Sequence, residues 1–251
     1  MLKIIIQGIN GKMGKALLEM LEGSQKHEVV AGISRNTETP NGIPVYSSLN
    51  DTAEAADVCI DFSNHAAVHS LLHGAIDKRM PLVICTTGFS DEEITEIKKA
   101  SAIIPVFQSY NTSIGVAVMD SLVAAASKLL KDYDVEIIEA HHNQKQDSPS
   151  GTAVMLANTI MENTPERDII KYGRHGHEKR AKDEIGIHSI RGGSIAGEHS
   201  VIFAGDGEIV EIKHTALSRD IFARGAIAAA EFIVGRPPGL YGVKDLIRED
   251  A

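Results

Sequence analysis

The stretch Lys3-Ile4-Ile5-Ile6-Gln7-Gly8-Ile9-Asn10-Gly11-Lys12-Met13-Gly14-Lys15-Ala16-Leu17-Leu18-Glu19-Met20-Leu21 decides the fold. Its β-branched run at 3–7 reads as a short buried strand, and a helical pattern at 15–21 follows. Glycines stand between them at 8, 11 and 14. A strand, a glycine-rich turn and a helix form the setting in which backbone amides bind a dinucleotide pyrophosphate. The spacing departs from G-x-G-x-x-G, so a glycine turn that opens a parallel sheet and binds nothing remains the competing reading.

The alternation continues outward. Strands are expected at 28–34, 57–63, 81–85 and 103–107, with one helix through His65, His69, Leu72 and Ala75 and another at 91–100. Residues 36–50 carry Pro40, Asn41-Gly42 and Pro44 and read as loop. The second strand ends in Ser34-Arg35, where NAD-binding folds place an acid on the ribose hydroxyls. Thr86-Thr87-Gly88-Phe89, at a strand's carboxyl end, suits a crevice beside a cofactor. His65, His69 and His73 fall at metal-ligand spacing, but the apolar positions of that helix face elsewhere and leave them solvated, so no metal site is expected. Residues 1–112 read as one doubly wound parallel sheet.

The character then changes. A helix at 115–131 and a strand at 135–139 lead into Glu139-Ala140-His141-His142-Asn143-Gln144-Lys145-Gln146-Asp147-Ser148-Pro149-Ser150-Gly151-Thr152. Two histidines and a lysine are expected on a loop before a helix at 152–162. Ser148 with Pro149 in the first turn, or Ser150 itself, suits the cap. The amides of Gly151 and Thr152 then point at an anion, favoured by the helix dipole. An imidazole, an ammonium and an anion-binding helix end in one short segment can hold a small carboxylic acid and move protons on it. Each piece alone has a plainer reading as a helix cap, a solvated histidine pair or an exposed lysine.

A polar loop at 163–182 precedes strands at 185–191, 198–204 and 208–215, the last two joined by a hairpin turn at Gly205-Asp206-Gly207. This implies a second α+β domain on a mostly antiparallel or mixed sheet. Ile187, Ser189 and Arg191 alternate with His188 and Ile190, which gives the sheet two differently used faces. A helix at 219–234 stops at Pro237-Pro238.

The 251 residues suffice for one large or two small domains, and the 43% apolar fraction is ordinary for a globular protein. A formal net charge of -9 argues against nucleic acid or anionic membrane as partner. Cys59 and Cys85 sit in apolar, strand-like runs and read as buried thiols in a reducing compartment. The N-terminal apolar run is too short for a signal peptide and no run spans a bilayer, so a cytoplasmic protein is expected.

The stretch from Glu139 to Thr152 resembles the signature of the dihydrodipicolinate reductase family. The resemblance extends over nearly the whole chain, through 8–14, Asp61-Phe62-Ser63, 86–89, Asn111, Ile190-Arg191-Gly192-Gly193, Gly197-Glu198-His199, Ser218-Arg219 and Phe222-Ala223. It implies a Rossmann-type α/β cofactor domain at 1–112 and 218–251, the C-terminal helix returning to it. The substrate-binding and oligomerisation domain is then 113–217. It implies an NAD(P)H-dependent reductase of 4-hydroxy-tetrahydrodipicolinate in the diaminopimelate and lysine pathway, assembled as a homotetramer through the second domain's sheet. Carried across, His141 is the proton donor and acceptor and Lys145 a proton donor. His142, Ser150, Gly151 and Thr152 bind the dicarboxylate substrate. Gly8, Ile9, Asn10, Gly11, Lys12, Met13, Arg35, Cys85, Thr86, Thr87, Ser109, Tyr110, Asn111 and Thr112 line the cofactor. Cys85 stands where the family usually has glycine. Ser34 replaces the usual acid, which with Arg35 favours NADPH over NADH. Closure between the two domains is expected before hydride transfer. Two other classes fit the residues less well. One is another two-domain oxidoreductase such as an amino-acid dehydrogenase, with no need for Lys145 beside 149–152. The other is a nucleotide-sensing protein, with no need for the histidine and lysine.

Overall fold

β1 (Leu2–Gln7) carries Ile4, Ile5 and Ile6, all fully buried. A strand with no polar face belongs inside a parallel sheet covered by helices on both sides. The computed structural model describes residues 1–36 and 38–248. The glycine turn leads directly into α1 (Lys12–Leu21), three residues ahead of its expected start. There follow β2 (His27–Ile33), β3 (Val45–Tyr46), β4 (Val58–Asp61), α2 (Val68–Lys78), β5 (Leu82–Ile84), α3 (Asp91–Ser101) and β6 (Pro105–Gln108). The six strands lie in the order β6-β5-β4-β1-β2-β3, all parallel. Alternate residues feed the two faces. Ile4, Ile6, Ile60 and Phe107 pack with Leu17 and Leu21 of α1, while Ile5, Cys59, Leu82 and Val106 pack with Leu71 of α2 and Ile97 of α3.

The expectation of uninterrupted loop at 36–50 is corrected by β3, which pairs Val45 with Gly32 and Tyr46 with Ile33. Two residues between prolines and serines are too few to show a period, and only the edge of β2 makes them a strand. His65 and His69 are exposed and pair with Glu93 and Glu96.

The second part of the chain comprises α4 (Ile114–Leu129), β7 (Asp134–His141), α5 (Gly151–Asn163), β8 (Ile169–Tyr172), β9 (Glu184–Arg191), β10 (Gly197–Gly205) and β11 (Glu208–Ala216). The five strands lie in the order β11-β10-β7-β9-β8. β9 is parallel to β7 and β8, and β10 is antiparallel to β7 and β11, so the sheet is mixed. One face buries Val135, Ile137, Ile187, Val201 and Phe203 beneath Val123 of α4 and Leu156 and Ile160 of α5. Two expectations need correction, and of the two caps considered for α5 one is selected. β7 runs on to His141, which is therefore a strand residue and not a loop residue. The expected loop at 163–182 contains β8, whose alternation is hidden because Ile169 and Tyr172 are exposed. Pro149 precedes the α5 cap and does not enter the first turn; Ser150 is the cap, accepting from the Ala153 amide.

The chain then adds α6 (Asp220–Ile233), β12 (Gly239–Tyr241) and α7 (Val243–Arg248). β12 lies parallel to β6 and completes a seven-stranded sheet. α6 joins the first core with Ala223, Ala226, Ala229, Ala230 and Ile233, all fully buried. Its Gly225 has no room for a side chain, since a Cβ would sit 1.7 Å from the Thr112 carbonyl oxygen. Met1–Ile114 and the segment from Asp220 thus form one unit, and Gly115–Arg219 a second. Among the described residues no helix is long and apolar enough to cross a membrane.

Candidate active site

The first unit has a cleft where the order of a doubly wound sheet reverses. β1 lies between β2 and β4, and ligands of such sheets bind beyond the strand ends at that point. The cleft has a volume of roughly 640 Å³ and is lined by Gln7, Gly8, Gly11, Ser34, Arg35, Phe62 and Ser63. Gly8 has φ +83°, and a Cβ there would lie 2.5 Å from the Phe62 carbonyl oxygen. Gly14 allows α1 to approach the turn, since its Cβ would lie 2.3 Å from the Gly8 oxygen. Gly11 caps α1 without any side-chain acceptor for its first amides, which is the arrangement an anion completes.

A polar network stiffens the cleft floor. Ser63 Oγ donates to buried Asp61 (2.5 Å) and accepts from Gln7 Nε2 (3.2 Å), and the Ser63 amide donates to Thr86 Oγ1 (3.0 Å). It ties together the ends of β1, β4 and β5. Burial raises the Asp61 carboxyl, opposed by the bonds from Ser63 and Thr86.

The residues expected to line a cofactor fall into distinct places. Gly8, Gly11 and Arg35 line the cleft. Asn10 donates to the carbonyls of Asn36 (2.7 Å) and Glu38 (3.2 Å), pinning the segment after β2. Ile9 and Met13 face the core, and Lys12 is exposed. The Cys85 side chain is buried in the core, and burial raises its thiol strongly. Thr86 is buried and Thr87 exposed. Ser109 Oγ donates to the Asn111 carbonyl (2.6 Å), and Tyr110 is exposed. Thr112 is buried and its hydroxyl donates to the Phe222 carbonyl (2.7 Å), so its side chain holds α6.

In the second unit the chemistry gathers at the carboxyl end of β7. Glu139 is fully buried on the same face as Val135 and Ile137. Its Oε2 accepts from His141 Nδ1 (2.6 Å) and Arg191 Nη1 (2.8 Å). Its Oε1 accepts from Arg191 Nη2 (2.7 Å) and the Ser150 amide (3.1 Å). Burial alone would raise this carboxyl, but Arg191, Ser189 and His141 outweigh it and hold it at about 2. Because the acceptor is an ionised carboxylate, the His141 proton resides on Nδ1 and leaves Nε2 bare. Burial lowers His141, opposed by Glu139 and assisted by Lys145 and Arg191.

Lys145 Nζ lies 2.7 and 2.8 Å from the Asp147 carboxylate, and Arg191 Nη2 donates to the Asp147 carbonyl (2.7 Å). His142 Nε2 accepts from Arg219 Nη2 (2.8 Å). Gly151 and Thr152 open α5, with nothing within 4 Å of the place a Gly151 Cβ would take. The His199 and His141 rings meet in a T-shaped arrangement at a centroid distance of 5.2 Å, and His199 Nε2 pairs with Ser150 Oγ (2.9 Å). Burial lowers His199 to about 4, helped by neighbouring His141.

Glu139, Arg191 and His199 belong to this site although sequence reasoning assigned them no role there. A signal existed for the first two. Period-two alternation puts Glu139 with Val135 and Ile137, and Arg191 with Ile187, and a buried acid requires a cation.

Known proteins resemble this one along its full length. Residues 2–112 match the family described as dihydrodipicolinate reductase, N-terminus, and residues 115–247 match dihydrodipicolinate reductase, C-terminus. A 4-hydroxy-tetrahydrodipicolinate reductase of Caldanaerobacter subterraneus subsp. tengcongensis is 48% identical, the match covering 99% of each chain. One from Clostridium tetani is 49% identical over 97% of this chain and 96% of its own. Among solved structures, a dipicolinate-bound dihydrodipicolinate reductase from Paenisporosarcina sp. TG-14 superposes with a TM-score of 0.82 at 26% identity, over 98% of this chain and 99% of that one.

Proposed function

The chain belongs to the dihydrodipicolinate reductase family, and on that premise we propose that it reduces 4-hydroxy-tetrahydrodipicolinate to tetrahydrodipicolinate with NADPH or NADH, in diaminopimelate and lysine biosynthesis. The observation that carries the reading is the single hydrogen-bonded network joining His141, the α5 N-terminus and the Lys145 loop.

The cleft of the first unit fits a nicotinamide dinucleotide. Gly8 lets its backbone come close, Gly11 leaves the α1 amides for a phosphate, and Ser34 and Arg35 stand at the end of β2, where the adenosine ribose is read. Arg35 offers a forked pair of donors to a 2′-phosphate and Ser34 no repelling charge, which favours NADPH. The remaining cofactor residues inferred from the family, from Ile9 to Thr112, act as supports or contacts of that cleft. The bound nicotinamide supplies the hydride.

The substrate is a small cyclic imine with two carboxylates. The amides of Gly151 and Thr152 take one carboxylate, with Ser150 setting the helix end and His142 beside it. Lys145 exchanges its Asp147 partner for the second carboxylate or the ring nitrogen. Negative charge that develops on that nitrogen is met by its ammonium, which donates the proton. The hydride and this proton enter the ring and the 4-hydroxyl leaves as water, which balances the conversion; His141 Nε2 takes up and returns a proton beside the ring.

We assign the enzyme to the cytoplasm, which the buried free thiols of Cys59 and Cys85 suit. We also assign it a homotetramer built on the outer face of the second sheet, where Ile190 and Ile209 are exposed. Light scattering is expected to return four chain masses; one or two would overturn that assembly. The reaction is tested by mixing the protein with NADPH and enzymatically generated substrate. Substrate-dependent loss of the reduced-cofactor absorbance is expected, and its absence would overturn the function.

A further inference from the structure

The reduction proposed above needs His141 and Lys145 to present defined atoms, yet they stand on different segments, one ending β7 and one on the loop after it. One side chain touches His141 directly and is linked to Lys145 through Arg191 and Asp147. Each Glu139 oxygen accepts from more than one group, among them His141, the Ser150 amide and both terminal nitrogens of Arg191. Arg191 in turn grips the carbonyl of Asp147, whose carboxylate holds the Lys145 ammonium.

We propose that Glu139 is the positioning residue of the reaction: it holds His141 with Nδ1 protonated and Nε2 presented, and through Arg191 it sets the loop that carries Lys145. The inference rests on the reading of His141 and Lys145 as proton-handling groups.

A buried carboxylate is an expensive device where stability alone is required. Its desolvation is offset only when hydrogen bonds satisfy all of its lone pairs, and apolar replacements of buried ion pairs are often neutral or stabilising. Here the charge sits where Val135 and Ile137 continue into Glu139, at the one point on that face where β7 meets a histidine. A carboxylate accepts only, so it selects one imidazole tautomer, whereas an amide or a water would permit either. The opposite nitrogen is kept clear. His141 Nε2 faces Gly197, where a Cβ would come within 3.2 Å of it. The same carboxylate oxygen that takes Arg191 Nη2 takes the Ser150 amide, so the helix end and the imidazole share one anchor.

The test separates orientation from mere stability. In ¹⁵N-histidine-labelled parent protein, long-range ¹H–¹⁵N spectra are expected to show His141 protonated on Nδ1 above its titration midpoint. The Nε2-protonated form would overturn the proposal, whether or not any variant folds. In Glu139→Gln, kcat is expected to fall about 10–100-fold, part of what a general acid–base group contributes. The KM for substrate and inhibition by pyridine-2,6-dicarboxylate should change by a smaller factor than kcat, since the glutamine carboxamide oxygen can still accept from Arg191 and the Ser150 amide while selection of the His141 tautomer is lost. The His141 titration midpoint should move down with loss of the neighbouring negative charge. Glu139→Asp, which keeps the charge, should recover part of the rate. A Glu139→Gln variant with parental kcat and an unmoved His141 midpoint would overturn the role of Glu139 while leaving the reductase reading intact. A parent protein that fails to turn over substrate would overturn that reading, and the tautomer would still judge Glu139.

Discussion

At the scale of single residues, turnover is expected to hang on Lys145. Its ammonium is on the loop of the second unit, paired with Asp147, and no cleft residue of the first unit depends on it. Lys145→Ala should therefore lower kcat about 10²–10⁴-fold, the range for a positioned general acid. The NADPH dissociation constant, measured by fluorescence titration, should stay within about 2-fold, since nucleotide binding involves a different surface. An unchanged kcat would remove Lys145 from the chemistry. Ser34 and Arg35 carry the second expectation at this scale. A charge-assisted fork to a 2′-phosphate is worth about 1.5–3 kcal/mol, roughly tenfold or more in affinity. The ratio of kcat/KM for NADPH to that for NADH should exceed one and should fall in Ser34→Glu, where a carboxylate repels the phosphate and takes the ribose hydroxyls instead. A ratio unmoved by that substitution would show that this pair does not read the phosphate.

The element that matters most is the β7–loop–α5 unit. β7 delivers Glu139 and His141, Ser150 caps α5, and the cap hydroxyl also meets buried His199. In the proposed reading the amides of Gly151 and Thr152 at the start of α5 meet a substrate carboxylate, an interaction of helix ends that fades within one turn. Proline is tolerated at an early helical position because amides there have no intrahelical partner. Thr152→Pro should thus keep α5 while deleting one donor. The inhibition constant for pyridine-2,6-dicarboxylate, competitive against substrate, should rise. Equal inhibition of parent and variant would take the helix end out of the substrate site.

At the scale of the whole molecule, the buried titratable groups of the second unit set an acid limit on stability. His199 is depressed from 6.5 to about 4, so its native environment favours the neutral ring. The unfolded chain binds that proton more readily, and the contribution present above pH 6.5 is lost as pH falls towards 4. Glu139 is depressed from 4.5 to about 2, so its contribution, present above pH 4.5, is lost between there and 2. The thermal midpoint should fall in both windows. His199→Gln should flatten the upper one, even though its midpoint at neutral pH is lower through the lost Ser150 contact. A variant that melts with the parental slope between pH 6.5 and 4 would assign that window to other groups.

Much of this architecture is written locally. Three isoleucines, glycines at 8, 11 and 14, and a helical run state the start of a parallel sheet, because a strand buried on both faces must be apolar throughout and a tight βα turn needs φ > 0. The two sheets, the strand pattern and the family signature at 139–152 were legible for the same reason: periodicity and turn chemistry act over a few residues. β3 and β8 were not legible, since each is a short strand beside polar loop whose pairing partner alone makes it a strand. The sequence also holds His141 and Lys145 in plain view, yet it cannot say which imidazole nitrogen is bare. That was decided by tertiary structure, when the parallel register of β7 and β9 set Ser189 opposite Glu139 and Arg191 opposite His141. Antiparallel β10 brought His199 opposite Glu139 from the other side. A buried charge draws its partners from whichever strands the register brings alongside, and register is a property of the folded sheet, set by burial of one face, and not of any single segment.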